Sequence, residues 1–384
     1  MSRNVHNFFY FDWRSWWALV RLVSREQDRA RRRRQYRTLC GVVPALALLH
    51  TVTFPLDPVF FPALRRTQAR RPVFVVGHAR SGTTYLHRLL ANDPRFSYVL
   101  LWEMFFPSLI EKKVLRAVLR WDQQLGGRLR KRIDVLDERL FSKSNSVHES
   151  GLFAPEEDEF LLTMSCASGF WVVQFPNAEQ MDFYHVDDRW PARKRDRVMQ
   201  FYRECVRRQL ALNGSGLTHL SKAPIHCGRV ESLVRAFPDA RFVVPVRNPN
   251  ETIPSFLKLM QFAWSARKRS EQDMQRSFRS FVDSSYHYYQ HPLDVLAAHP
   301  EVPSAIVDYR DLVTDPAGTM RRVYDDIELD MVPEQEKALA NEKGREYKSG
   351  HTYSLAEFGL EADEIRTRLA PLFDRFDWEP RHVG

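Results

Sequence analysis

The chain has 384 residues, 44% of them hydrophobic and 27% charged, the balance of a globular protein able to bury a large core. Its formal net charge of +9 suits an anionic cofactor, an acidic acceptor or an anionic membrane surface. A nucleic-acid partner is not expected, because the sequence carries no zinc spacing, RNA-binding aromatic motif or helix-turn-helix signature.

Residues 1–68 read as a helical appendage, aromatic and basic. Phe8, Phe9, Tyr10, Phe11, Trp13, Trp16 and Trp17 precede a basic run of Arg29, Arg31 to Arg34 and Arg37. The apolar stretch Leu39 to Leu49 is shorter than the ~20 residues needed to span a bilayer. It also begins too late for a secretory signal peptide. Two readings stay open: a peripheral membrane contact through residues 1–38, or a helical element packed on the main domain. Cys40, Cys166, Cys205 and Cys227 are scattered without a CxxC pair and read as reduced, buried thiols of a cytoplasmic protein.

Residues 69–384 read as one α/β domain. Val73-Phe-Val-Val76 predicts a buried strand, and Leu86, Leu89 and Leu90 recur at helical spacing before Asp93-Pro94. Between them lies Gly77-His-Ala-Arg-Ser-Gly-Thr-Thr84. A glycine turn between strand and helix is a phosphate cradle. Gly77 and Gly82 keep Walker-A spacing, but Thr83 stands where the lysine of a nucleoside triphosphatase belongs. A loop without that lysine suits a nucleotide without a triphosphate, and 3′-phosphoadenosine-5′-phosphosulfate (PAPS) fits. Its 5′ end would lie on Gly82, Thr83 and Thr84, with Arg80 nearby. The competing explanation is a tight turn that binds nothing.

Residues 104–216 are mostly helical and rich in aromatics, interrupting the α/β rhythm, and read as an acceptor-binding insertion. The rhythm then resumes. Leu217 to Lys222 predicts a strand, Val230 to Phe237 a helix, Arg241 to Val246 a strand, Ser304 to Tyr309 a strand, and Pro316 to Ile327 a helix. A last helix is expected over roughly 354–376. Pro245 inside a strand and Pro254 inside a helix are awkward. Arg247 lies just beyond its strand, where α/β sheets bind ligands, and arginine suits bidentate phosphate recognition. Ser255 follows eight residues later.

Arg80-Ser81-Gly82-Thr83-Thr84 after a hydrophobic strand resembles the 5′-phosphosulfate loop of PAPS-dependent sulfotransferases, in the bacterial branch related to tyrosyl-protein sulfotransferases. Arg247 and Ser255 resemble the pair that grips the 3′-phosphate in that family, and Lys222-Ala-Pro224 resembles its Lys-x-Pro element. The resemblance covers about residue 70 to the C-terminus. It implies a P-loop-type three-layer fold with a central parallel sheet, PAPS as sulfate donor, and donor binding by Arg80, Ser81, Gly82, Thr83, Thr84, Arg247 and Ser255. Arg80 and Lys222 would stabilise charge on the leaving oxygen.

The general base is less defined. Glu103 stands about where tyrosyl-protein sulfotransferases carry their catalytic glutamate, at a slightly longer spacing. His148 and Glu149 are rivals, because cytosolic members use histidine. So is the acidic cluster Glu156, Glu157, Asp158 and Glu159, which a helix first turn also explains. No metal is expected. The aromatic insertion points to a lipid-like acceptor, with a carbohydrate or glycolipid as the alternative. A P-loop kinase would need the missing lysine, and a non-catalytic binding protein would not need Arg80, Lys222, Arg247 and Ser255.

Overall fold

Short apolar runs build the sheet. In the computed structural model, which describes residues 7–141, 151–175, 178–265, 271–344 and 355–378, five strands form. They are β1 (Val73–Val75), β2 (Phe96–Ser97), β3 (Thr218–Lys222), β4 (Arg241–Val246) and β5 (Ser304–Asp308), in the order β2-β3-β1-β4-β5. Every residue of β1 and β4 is buried, as expected of parallel strands covered on both faces. β1 pairs with β4 and β4 with β5, both in parallel.

The register disposes of Pro245. Along β4, the Arg241 N–H donates to Pro72 O at 2.8 Å and the Phe242 N–H to Pro303 O at 3.0 Å, so donors alternate between neighbours. The missing N–H of Pro245 falls on the β1 side, beyond the end of β1, where Gly77 packs against it. Pro254 lies inside the Pro249–Ser265 helix. Asn248 caps that helix, its side-chain oxygen accepting the Asn250 N–H at 3.0 Å.

The described residues fall into two compact units. One comprises residues 1–70, 97–171 and 193–221; the other comprises 71–96, 172–192 and 222–384. This division differs from an appendage ending at 68 and an insertion over 104–216. The N-terminal segment shares its core with helices Leu109–Gln124 and Ala192–Asn213, and 172–192 goes with the second unit.

In the first unit, residues 29–60 form one continuous helix, with a π-helical turn at Thr38–Val42. It is long and apolar enough to cross a membrane by length and composition. Its two faces differ. Val43, Ala47, His50, Phe54 and Asp57 are buried. Asp57 accepts from Arg208 Nε at 2.6 Å and from the Leu109 and Ile110 N–H groups at 2.9 and 2.8 Å. The Arg208 guanidinium also lies 3.4 Å from the Phe54 ring centroid, and His50 Nδ1 is 2.8 Å from Glu111. The opposite face exposes Leu48, Val52, Val59 and Phe60.

Two expectations are corrected. The single helix over 354–376 is a 3₁₀ turn and two short helices, Ala362–Arg368 and Ala370–Phe376. Gly359 at φ +66° and Pro371 interrupt it. Cys166, Cys205 and Cys227 are buried free thiols, but Cys40 is exposed.

Candidate active site

The glycine loop after β1 is built in the second unit. Past β1, the Val76 N–H still donates to Val243 O at 3.0 Å, and the chain then turns. A Cβ on Gly77 would lie 2.6 Å from the Pro245 carbonyl oxygen, so only glycine fits. The turn closes on the His78 carbonyl, which accepts from the Ser81 N–H at 3.1 Å and from its Oγ at 2.6 Å. Ser81 therefore spends its hydroxyl on the loop. Arg80 and Gly82 both have left-handed backbone, at φ 72° and 93°. A Cβ on Gly82 would meet the Tyr309 ring at 2.4 Å. Thr83 opens the Thr83–Leu90 helix and is buried, whereas Thr84 is exposed. The N–H groups of a helix's first turn have no intrahelical acceptor, so this end of the helix suits an anion.

A second layer holds the loop. The His78 imidazole is buried, with Nδ1 2.6 Å from Ala79 O and Nε2 2.9 Å from Ser285 Oγ. It stacks on Tyr289 at 5.0 Å between centroids. Burial pushes its pKa down to about 4, so the ring is neutral at pH 7. The Tyr289 hydroxyl donates to Arg247 O at 2.7 Å, which ties the loop to the end of β4.

Arg247 and Ser255 meet that loop. Arg80 Nε donates to Ser255 Oγ at 3.1 Å. Arg247 Nη1 donates to Arg80 O at 3.4 Å. Glu251, one helical turn after Arg247, accepts from its Nε at 2.9 Å and pairs with its Nη2 at 2.8 Å. The guanidinium also lies 4.7 Å from the Tyr309 ring centroid. The register explains this contact: Val246 pairs with Asp308, so Arg247 and Tyr309 are the next residues of adjacent parallel strands. Lys222 ends β3 and is 2% exposed. The next residue, Ala223, donates its N–H to Val75 O at 3.3 Å, which places the backbone after Lys222 beside the end of β1.

The candidate bases belong to the first unit. Glu103 is 0% exposed. Its Oε2 accepts the Leu100 N–H at 3.1 Å and Gln209 Nε2 at 2.7 Å, and its Oε1 accepts Arg116 Nη2 at 2.6 Å. The carboxylate thus caps the short Leu101–Met104 helix and holds an ion pair. Asp158 is buried and accepts from Ser221 Oγ at 2.7 Å, while His219 Nε2 lies 2.8 Å away. Glu159 accepts the Gly169 N–H at 3.0 Å. His148 and Glu149 lie outside the described residues.

Sequence reasoning missed Glu251, Tyr309, His78 and Tyr289. The i, i+4 spacing of Arg247 and Glu251 was a usable signal. Tyr309 and Tyr289 come from distant segments, and nothing local marks them.

A strand, glycine turn and helix on a parallel sheet, beside a second strand that ends in arginine, define a P-loop-type α/β fold. The model of the sulfotransferase family matches residues 72–334, and the chain belongs to that family. It is 27% identical over 270 residues to the omega-hydroxy-beta-dihydromenaquinone-9 sulfotransferases Stf3 of Mycobacterium bovis and Mycobacterium tuberculosis. The match covers 67% of this chain and 63% of the length of those curated relatives. The fold is similar to that of sulfotransferase STF9 from Mycobacterium avium, with a TM-score of 0.73 and 21% identity over 97% of this chain and 94% of that one. Sulfotransferase STF1 from Mycobacterium tuberculosis gives 0.68 and 20% over 93% and 92%.

Proposed function

We propose that the protein is a PAPS-dependent sulfotransferase acting on the hydroxyl of a lipid-like acceptor. The observation that carries this reading is the convergence of Arg80, Ser255 and Arg247 beside a loop with threonine at the lysine position. Two features of the loop support the donor: Gly82 at φ 93° packs its backbone against the Tyr309 ring with no side chain, and the Arg80 and Arg247 guanidinium groups stand beside the loop. When bound, the donor supplies the sulfuryl group and a bisphosphorylated leaving group. Gly82, Thr83 and Thr84 would hold its 5′ end, and Arg247 and Ser255 its 3′-phosphate. Arg80 and Lys222 would offset charge growing on the leaving oxygen. These cations make a metal unnecessary for the transfer.

The acceptor hydroxyl must lose its proton to a base. Glu103 is proposed for that role. A carboxylate has about four lone-pair sites, and that of Glu103 accepts from Arg116, Gln209 and the Leu100 N–H, which leaves room for a further proton donor.

Two features of the first unit support a lipid-like acceptor. Aromatic residues are dense in it, with Phe160 and Phe170 at 4.6 Å between centroids. Leu48, Val52 and Val59 are exposed on the Arg29–Phe60 helix, and Val114, Val118 and Trp121 are exposed on the Leu109–Gln124 helix. The Arg29–Arg37 stretch supplies positive charge at the start of the first of these helices. We assign these exposed residues to peripheral contact with an anionic inner-membrane surface, since apolar insertion flanked by arginines is how interfacial helices bind. The curated relatives named above are described as acting on a menaquinone derivative.

The test is incubation of the purified protein with ³⁵S-labelled PAPS and, side by side, lipid and water-soluble cell extracts. Label in a lipid product is expected. Label only in water-soluble glycans would replace the acceptor class, and no transfer to either extract, with no binding of 3′-phosphoadenosine-5′-phosphate, would reject the reading.

A further inference from the structure

The helix Glu271–Ala298 supports the loop through Ser285 and Tyr289, but it also carries His287 and His291 one turn apart. The Val186–Arg189 turn, with His185 as its N-cap, lies against these histidines. The His185 and His287 rings are 4.3 Å apart, and His287 stacks on His291 at 4.7 Å. Asp188 Oδ2 is 3.5 Å from His287 Nδ1. One ligand atom each from His185, Asp188 and His287 can be chosen within 4.8 Å of one another.

Hydrogen bonding explains only part of this crowding. His291 Nε2 has Asp187 at 2.9 Å, and Asp187 also accepts the Glu231 N–H at 2.9 Å. His287 Nε2 is buried with no hydrogen-bond partner. Packing imidazoles together while leaving a ring nitrogen dry is costly unless something else occupies it.

We propose that His185, Asp188 and His287 form a binding site for a divalent transition-metal ion of the zinc class. Two imidazoles and one carboxylate select Zn²⁺, Co²⁺ or Ni²⁺ over Mg²⁺ and Ca²⁺. Tetrahedral bonds of about 2.1 Å place ligand atoms about 3.4 Å apart. The half-exposed Asp188 side chain is free to close that gap and leaves an entry path. His291, oriented by Asp187, stacks on His287 and fixes its ring, as an outer-shell carboxylate–histidine pair does. The ion would pin the 186–189 turn to the long helix. Its role is structural, and the site stands whether or not the sulfotransferase reading holds.

The experiment uses the full chain stripped with EDTA and titrated with Co²⁺, followed by visible d–d absorption, Zn²⁺ displacement and melting temperature. One equivalent per chain is expected, with a rise in melting temperature. His185→Ala and His287→Gln should each weaken binding tenfold or more and abolish the rise. His299→Ala, at another imidazole flanked by Glu231 and Glu301, should change nothing. Circular dichroism in EDTA checks that the variants are folded; should one not fold, Asp188→Asn on the exposed edge serves instead. No binding to the wild type, or full-strength binding to the folded variants, overturns the site.

Discussion

Arg80 Nε donates to Ser255 Oγ at 3.1 Å. This one bond joins two segments that the sequence separates widely, the loop after β1 and the helix after β4. It makes the proposed 5′ and 3′ anion sites a single surface, so damage to either should be felt by the whole nucleotide.

Arg247→Ala should therefore weaken binding of 3′-phosphoadenosine-5′-phosphate by about 2–5 kcal/mol, roughly thirtyfold or more in Kd. The wild type should bind ATP far more weakly, because Thr83 replaces the lysine. Titration calorimetry with both nucleotides checks this; equal affinity for ATP contradicts it.

Gly82→Ala tests the cradle. The position needs φ 93°, and a methyl would meet the Tyr309 ring at 2.4 Å. The expected result is a loss of about 1–3 kcal/mol of stability together with nucleotide binding. Chemical denaturation and calorimetry on the same preparation read both.

Glu103→Gln separates two roles of one carboxylate. As base, its replacement should cut turnover by ~10²–10⁴-fold with nucleotide affinity unchanged. As cap and ion-pair partner of Arg116, it should chiefly lower the melting temperature. Turnover lost at near-normal stability supports the base; normal turnover moves that role to His148 or the acidic cluster.

Acid should destabilise the fold through His78. Its pKa in the folded protein is pushed down from 6.5 to about 4. The unfolded chain therefore binds the proton first as pH falls. Stability present above pH 6.5 is lost progressively down to about pH 4, by roughly 3 kcal/mol. Melting curves across that range should show the loss, and His78→Asn should flatten it.

Much of this site was legible because its chemistry sits in short, local patterns. The strand before Gly77, the helix after Gly82 and the arginine after β4 each follow from residue type and spacing within about ten positions. Pro245 looked wrong for a strand only because the end of β1 opposite it could not be seen. The support for the loop was not legible, since the His78–Ser285 bond spans 207 positions. Hydropathy likewise marked Leu39 to Leu49 as apolar without telling that the helix runs on to Phe60 or which face would turn outward. The buried partners of that helix, Arg208 and Glu111, are charged residues from elsewhere. At Glu103 the sequence position suggested a base but not the bonds to Arg116, Gln209 and the Leu100 N–H, which come from side chains and backbone that spacing does not reveal.

The Asp57–Arg208 pair has a practical consequence. Cutting the chain at residue 68, a boundary its composition invites, would take Asp57 from the buried Arg208 guanidinium and leave Glu204 as its remaining acidic partner. It would also leave the Leu109 and Ile110 amides without an acceptor. Breaking a buried ion pair by removing one partner costs up to about 3–5 kcal/mol, so even part of that loss is a large share of what keeps a domain folded. The N-terminal helices are thus a built-in wedge of the first unit, and a shortened protein should be recovered as aggregate.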